Sequence, residues 1–217
     1  MGSCSVMYRG VVMLMALCGA VKAMASDDLN QRASLRLGDQ FYLEAIQDDP
    51  AEPAALPKAF GEKGAWWWSV GGGAAFGGRD SDGAYTLHFG LHTFIVDNFE
   101  LAMEFGPWYF DQTNDDAIAG AFNLMFRWHF IHRERWSVFA EAGAGLMIAS
   151  DDVPEMGSEF NFMPRAGLGA TWQFSESRAR LIFGARWQHI SNGRLFGNNE
   201  NPGSDALMGF AGVMIPF

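Results

Sequence analysis

The fold class this sequence predicts is all-β: eight antiparallel strands closed into a transmembrane barrel of the outer membrane. Three observations predict it. From residue 65 onward the chain falls into eight segments with period-2 alternation of apolar and polar side chains, near 65–76, 85–96, 99–110, 118–132, 136–149, 160–174, 179–191 and 205–217. The connections alternate in length: 97–98, 133–135 and 175–178 are short, whereas 77–84, 111–117, 150–159 and 192–204 are long. Short periplasmic turns and long outer loops give that alternation, and an even strand count returns both ends to the periplasm. Finally, no run after the N-terminus reaches the roughly 18 uninterrupted apolar residues of a membrane helix. Glycine, phenylalanine and tryptophan are nonetheless abundant, at 26, 19 and 8 residues, as expected of strands that meet lipid.

Arg9, an apolar run over 11–20 and the small-x-small site Ala23-Met24-Ala25 make residues 1–25 read as a signal peptide, so the protein is expected to be exported. A lipid-modified Cys18 is the weaker reading, because Leu17 is a poor residue before such a cysteine. Both cysteines, Cys4 and Cys18, lie in that leader, leaving the mature chain without a thiol. Residues 26–61 are acidic, centred on Asp48-Asp49-Pro50-Ala51-Glu52-Pro53, and are expected to form a periplasmic N-terminal segment; 62–217 form the barrel. Without Arg9 and Lys22 the formal charge of −10 becomes −12, which argues against a nucleic-acid partner, since phosphate binding needs a basic surface.

The fourth segment sets Ile118, Gly120, Phe122, Leu124, Phe126, Trp128 and Phe130 on one face against Asn123, Arg127 and His129 on the other. The third sets Phe99, Leu101, Met103 and Phe105 against Glu100 and Glu104; the sixth sets Phe162, Ala166, Leu168, Ala170 and Trp172 against Asn161, Arg165, Thr171 and Gln173. The last, Leu207, Gly209, Ala211, Val213, Ile215 and Phe217, resembles the C-terminal strand of bacterial outer-membrane barrels. Phe99, Trp128, Trp136, Trp172, Phe174 and Phe217 gather at the periplasmic ends as an interfacial girdle. Pro107 and Pro164 fall towards outer strand ends, where a missing ladder donor costs least.

By parity Glu100, Glu104, Glu141, Arg127, Arg165, Arg180 and Arg186 share the lumen. Side chains fill an eight-stranded barrel, so these are expected to pair with one another rather than to line a pore. His88, His92 and His129 also fall inward and read as hydrogen-bonded lumen residues. No His, Asp and Glu set has metal-site spacing, and Gly71-Gly72-Gly73 lacks a phosphate-loop context; no cofactor is expected.

One constellation stands apart. His189 and Ser191 continue the apolar outward row Ala179, Leu181, Phe183, Ala185 and Trp187 of strand seven, and Asp205 opens the outward row of strand eight. A histidine, a serine and a carboxylate on a lipid-facing wall carry a desolvation penalty, so they mark function. Chemically they offer a nucleophile (Ser191), a base (His189) and a group that orients the imidazole (Asp205). Asn192, with the backbone N–H groups of the Asn192-Gly193 turn, is the candidate holder of a developing oxyanion, and Phe183, Trp187 and Leu207 are candidate substrate-binding residues on the same wall. Rim polarity of a non-enzymatic structural or binding barrel is the competing account.

His189-Ile190-Ser191-Asn192-Gly193, then Asn201-Pro202-Gly203-x-Asp205, then the alternating strand ending Ile215-Pro216-Phe217, resembles the lipid A 3-O-deacylase (PagL) family. The resemblance implies an integral outer-membrane barrel with its site towards the outer leaflet, lipid A of lipopolysaccharide as partner, and hydrolysis of the ester-linked chain at position 3; an acyltransferase on the same lipid is the second enzymatic account. It implies His189 as base, Ser191 as nucleophile, Asp205 at the acid position and Asn192 near the oxyanion hole. The acid is Asp where Glu is frequent in the family, and Glu200 in the preceding loop is a rival. The sequence leaves oligomeric state open, a homodimer included.

Overall fold

The computed structural model describes residues 58–174, 176–197 and 202–217. The expected signal peptide, both cysteines, most of the 26–61 segment and Glu200 lie outside the described residues. Eight antiparallel strands close into a barrel: β1 (Trp66–Phe76), β2 (Ser81–Val96), β3 (Phe99–Gln112), β4 (Ala117–His132), β5 (Trp136–Val153), β6 in two segments (Ser158–Phe162 and Arg165–Gln173), β7 (Arg180–Ile190) and β8 (Ser204–Pro216). Each pairs with its sequence neighbours. The ring closes where β8 returns to β1, from Trp67↔Pro216 to Phe76↔Leu207. Closure leaves no unpaired edge, the condition for a sheet to sit in hydrocarbon.

β6 is interrupted at Met163-Pro164 because proline has no N–H to donate. The ladder continues around it: Met163 and Gly145 exchange two backbone bonds of 2.8 and 3.0 Å, and the Pro164 carbonyl accepts the His189 N–H at 2.9 Å. The other awkward residue, Pro107, coincides with a stretch of β3 that has no register partners on β2.

Strict alternation sets the register. Along β4 every second residue from Ala117 to His129 is buried, and Ile118, Phe122, Leu124, Phe126, Trp128 and Phe130 are exposed on the wall. A slip of one residue would put Arg127 on that wall and Phe126 in the lumen, so register and burial specify each other. Trp66, Trp68, Trp128, Trp136, Trp172, Phe174 and Phe217 are exposed around the end with the short turns.

The opposite end differs from the sequence expectation. β2 begins at Ser81, β3 runs to Gln112, β5 runs to Val153 and β6 begins at Ser158, so three of the four expected long loops shrink to tight turns over 77–80, 113–116 and 154–157. Pairs such as Ser81↔Gln112 and Val153↔Ser158 extend the hairpins instead. Strand pairing needs only backbone donors and acceptors, and polar residues on both faces conceal it. Of the four connections at this end, the one between β7 and β8 alone remains long.

The lumen is filled by charge. Arg127 is the hub: its Nε lies 2.8 Å from Glu141, its Nη1 2.8 Å from Glu100, and its Nη2 pairs with Glu104. Arg186 reaches Glu104 and Glu141, each at 2.8 Å. His92 and His129 bond Glu100 at 2.7 and 3.0 Å, while Ser69 and Ser137 satisfy their second nitrogens. All three glutamates and Arg127, Arg165, Arg180 and Arg186 are buried, as parity required. A cavity at mid-height, between Glu104, Asn123 and Arg165, holds about 10 Å³, and one at the long-loop end beside Gln112, Gln188 and Ser204 about 20 Å³; each has room for a water, not for a conduit.

Phe60 closes the short-turn end. It falls on the segment side of the expected boundary at 61, yet it is 8% exposed and packs edge-on against Trp67, Phe94 and His129 at 5.0 to 5.3 Å. The Arg180 guanidinium lies 4.0 Å over its ring, a cation–π contact.

Strand spacing allows one simple check. A Cβ on Gly143 would sit 2.1 Å from the Leu124 carbonyl oxygen and 2.8 Å from the Met125 Cα. Gly143→Ala is therefore expected to prise β4 from β5 and destabilise the barrel by about 1–3 kcal/mol. Urea unfolding in detergent reads this, and an unchanged midpoint would refute it.

Candidate functional site

The long connection joins β7 and β8, and the sequence-predicted residues cluster where it begins and ends. His189 and Asp205 are directly opposed across the β7–β8 ladder, one step before Ile190↔Ser204 ends it. Directly opposed side chains sit about 5 Å apart at Cβ, so an aspartate spans the gap without the extra methylene of a glutamate. His189 Nδ1 lies 3.0 Å from Asp205 Oδ1. An ionised carboxylate only accepts, which makes Nδ1 the protonated nitrogen and leaves Nε2 with its lone pair.

Both residues face outward. The His189 side chain is 30% exposed and that of Asp205 64%, on the same wall as exposed Phe183, Trp187 and Leu207. Trp187 pairs with Leu207 two steps down the hairpin. Two contacts at His189 were not legible by residue type. The Trp187 Nε1–H donates to Asp205 Oδ1 at 2.9 Å, and its ring stacks on the imidazole with centroids 6.1 Å apart and planes 22° off parallel. Gly203, at φ 63°, lies under the imidazole: a Cβ there would come within 3.3 Å of His189 Cε1. Trp187 was detectable by spacing, since a residue two before His189 is its same-face neighbour on a strand.

Ser191 follows the end of β7 and is held in extended register by Phe162. The Phe162 N–H donates to the Ser191 carbonyl at 2.8 Å, and the Ser191 N–H to the Phe162 carbonyl at 3.2 Å. That bridge keeps Ser191 on the His189 face, with Cα atoms about 7 Å apart as for any same-face strand neighbours. Among the described residues no hydrogen bond is recorded for its hydroxyl, so the structure does not bring Ser191 Oγ into contact with His189.

The Asn192 side chain points away from the outward wall. One residue beyond Ser191, it takes the opposite face and is 1% exposed. Its Nδ2 donates to Ser158 Oγ at 3.0 Å, and its Oδ1 accepts the Arg194 N–H at 2.8 Å. The side chain braces the loop from inside rather than reaching the wall. Gly193, at φ 64°, is exposed beside Ser191, and among the described residues no acceptor is recorded for its N–H. No cluster of metal-ligating side chains occurs among the described residues.

Comparison with known proteins bears on this hairpin. The sequence model of one family, described as Lipid A 3-O-deacylase (PagL), matches residues 83–214, more than half of the chain. The chain belongs to the lipid A 3-O-deacylase (PagL) family. The PagL match runs from β2 to β8 and takes in His189, Ser191 and Asp205. Among solved structures, the crystal structure of Neisserial surface protein A (NspA) is similar with a TM-score of 0.56 at 14% identity, covering 71% of this chain and 100% of that one. That likeness shows the fold: an outer-membrane type of β-barrel. The crystal structure of the outer membrane enzyme PagL aligns with a TM-score of 0.46 at 20% identity over 70% of this chain and 99% of that one. The N-terminal β-barrel domain of Pseudomonas aeruginosa OprF aligns at 0.45 and 15%, over 71% and 98%. No curated protein matches the chain.

Proposed function

We propose that this chain is an outer-membrane esterase that removes the 3-O-linked acyl chain of lipid A, with Ser191, His189 and Asp205 as its triad facing the outer leaflet. The observation that carries it is the His189–Asp205 pair, 3.0 Å apart on the outward wall. Polar groups there are costly beside lipid, and neither closing the barrel nor filling its lumen requires them.

Ser191 Oγ attacks the ester carbonyl while His189 Nε2 takes its proton, and Asp205 holds Nδ1–H and balances the imidazolium. The tetrahedral oxyanion forms beside the Gly193 N–H, which suits it as donor where the inward Asn192 side chain does not. Collapse breaks the bond to the sugar O-3, which leaves with the proton from His189. Water then attacks the acyl-serine with His189 again as base, releasing the fatty acid. Phe183, Trp187 and Leu207 give the departing chain an apolar wall.

Lipid A from cells producing the wild type and Ser191→Ala tests this by mass spectrometry. The wild type should shift lipid A down by the mass of one 3-linked hydroxyacyl chain, and Ser191→Ala should leave it intact. Identical profiles, with both barrels folded and the 3-linked chain present, would sink the proposal.

A further inference from the structure

A tryptophan on a barrel wall ordinarily serves as apolar surface. Trp128 and Trp172 fit that description: they are 58% and 55% exposed, and among the described residues no acceptor is recorded for their indole N–H groups. Trp187 differs, because its indole N–H meets Asp205 Oδ1 at 2.9 Å while His189 Nδ1–H meets the same oxygen at 3.0 Å. The two donors sit two residues apart on one face of β7 and converge on one atom from the opposing strand.

The convergence constrains a group that is otherwise free to turn. Asp205 is exposed and has two side-chain torsions, χ1 with three staggered wells and χ2 broad. With Trp187 alone or His189 alone the carboxylate would swing about a single bond. With both, a rotation that breaks one contact breaks the other. The indole also lies against the imidazole face, 22° from parallel, so a turn about Cα–Cβ that carried Nε2 to the carboxylate would displace the stack. Two donors on the carboxylate further offset the loss of hydration at a lipid-facing position.

We infer that Trp187 is a positioning residue for the His189–Asp205 pair: it fixes the carboxylate that holds His189 in the Nδ1–H tautomer, with Nε2 turned to Ser191. The inference rests on the esterase reading above and adds to it, since a wall contact for an acyl chain needs only the area of the indole and not its N–H.

Trp187→Phe keeps an aromatic surface and removes the donor. In detergent micelles containing 3-O-acylated lipid A, the full-length variant should lose about tenfold in kcat, the order of one hydrogen bond to a charged group, with KM changed by less than about twofold. In an Asp205→Ala background the same substitution should change kcat by less than about twofold, because the group it acts through is gone. A rise in KM with kcat unchanged would make Trp187 a lipid contact only, and equal losses in both backgrounds would remove Asp205 from its action; either overturns the inference. ¹⁵N NMR of imidazole-labelled protein gives a reading without turnover: the fraction of His189 protonated at Nδ1 should fall in Trp187→Phe. An unchanged fraction overturns the positioning role. A wild type that leaves lipid A intact yet shows the tautomer change upholds it and fails the deacylase reading instead.

Discussion

His189→Ala is expected to leave a folded barrel that no longer removes an acyl chain, with the rate lower by about 10⁴-fold. In the proposed mechanism His189 joins the two halves of the site, taking the proton of Ser191 while it holds Asp205 at 3.0 Å. Neither neighbour replaces it: the Asp205 carboxylate lies across the hairpin from His189, and Trp187 Nε1 is a donor only. Folding should survive, because the side chain is partly exposed on the wall and its backbone N–H is kept by the Pro164 carbonyl. Heat-dependent electrophoretic mobility separates the two effects, since a folded barrel migrates differently before and after boiling. A folded variant that keeps its activity would refute the catalytic assignment, whereas loss of that shift would mark a folding defect.

Arg127→Met is expected to act on the opposite ledger, stability without contact to the wall. Arg127 ties Glu100, Glu104 and Glu141 together and is itself buried. Removing it leaves Glu100 with only histidines, Glu141 dependent on Arg186, and Glu104 on Arg186 and the more distant Arg165 at 4.0 Å. Breaking a buried ion pair by deleting one partner costs about 3–5 kcal/mol, read as a lower urea midpoint. Adding Glu141→Gln should recover part of the loss by removing one uncompensated charge. A single variant as stable as the wild type would mean that lumen water replaces Arg127, and that the network is ornamental to folding.

Strand identity and facing were legible in the sequence because two environments differ so sharply. Between lipid and a charged lumen, alternation along β4 leaves one register, and the same parity carried His189 and Asp205 to the outer wall. Strand ends were not legible. Ser81, Asp82, Asp151 and Asp152 belong to β2 and β5, yet beyond the membrane both faces meet water and hydropathy carries no pairing signal. Asn192 shows a different limit: nearness in sequence to Ser191 suggested nearness in space, whereas strand parity turns it inward to Ser158. Trp187 was read as apolar area because composition counts a tryptophan by its ring, and its N–H matters only once Asp205 is known to lie across from His189. Phe60 escaped notice for a related reason, being one apolar residue at the end of an acidic stretch.

The outward row of β7, from Leu181 through Phe183 and Trp187 to His189, also sets the units in which turnover is counted. A molecule meeting that face arrives by lateral diffusion in a film, so the quantity that governs encounter is its mole fraction in the surface and not its molarity in the tube. For the proposed esterase, added detergent at constant lipid is then expected to slow the reaction by surface dilution, and rates compare across preparations only at equal mole fraction.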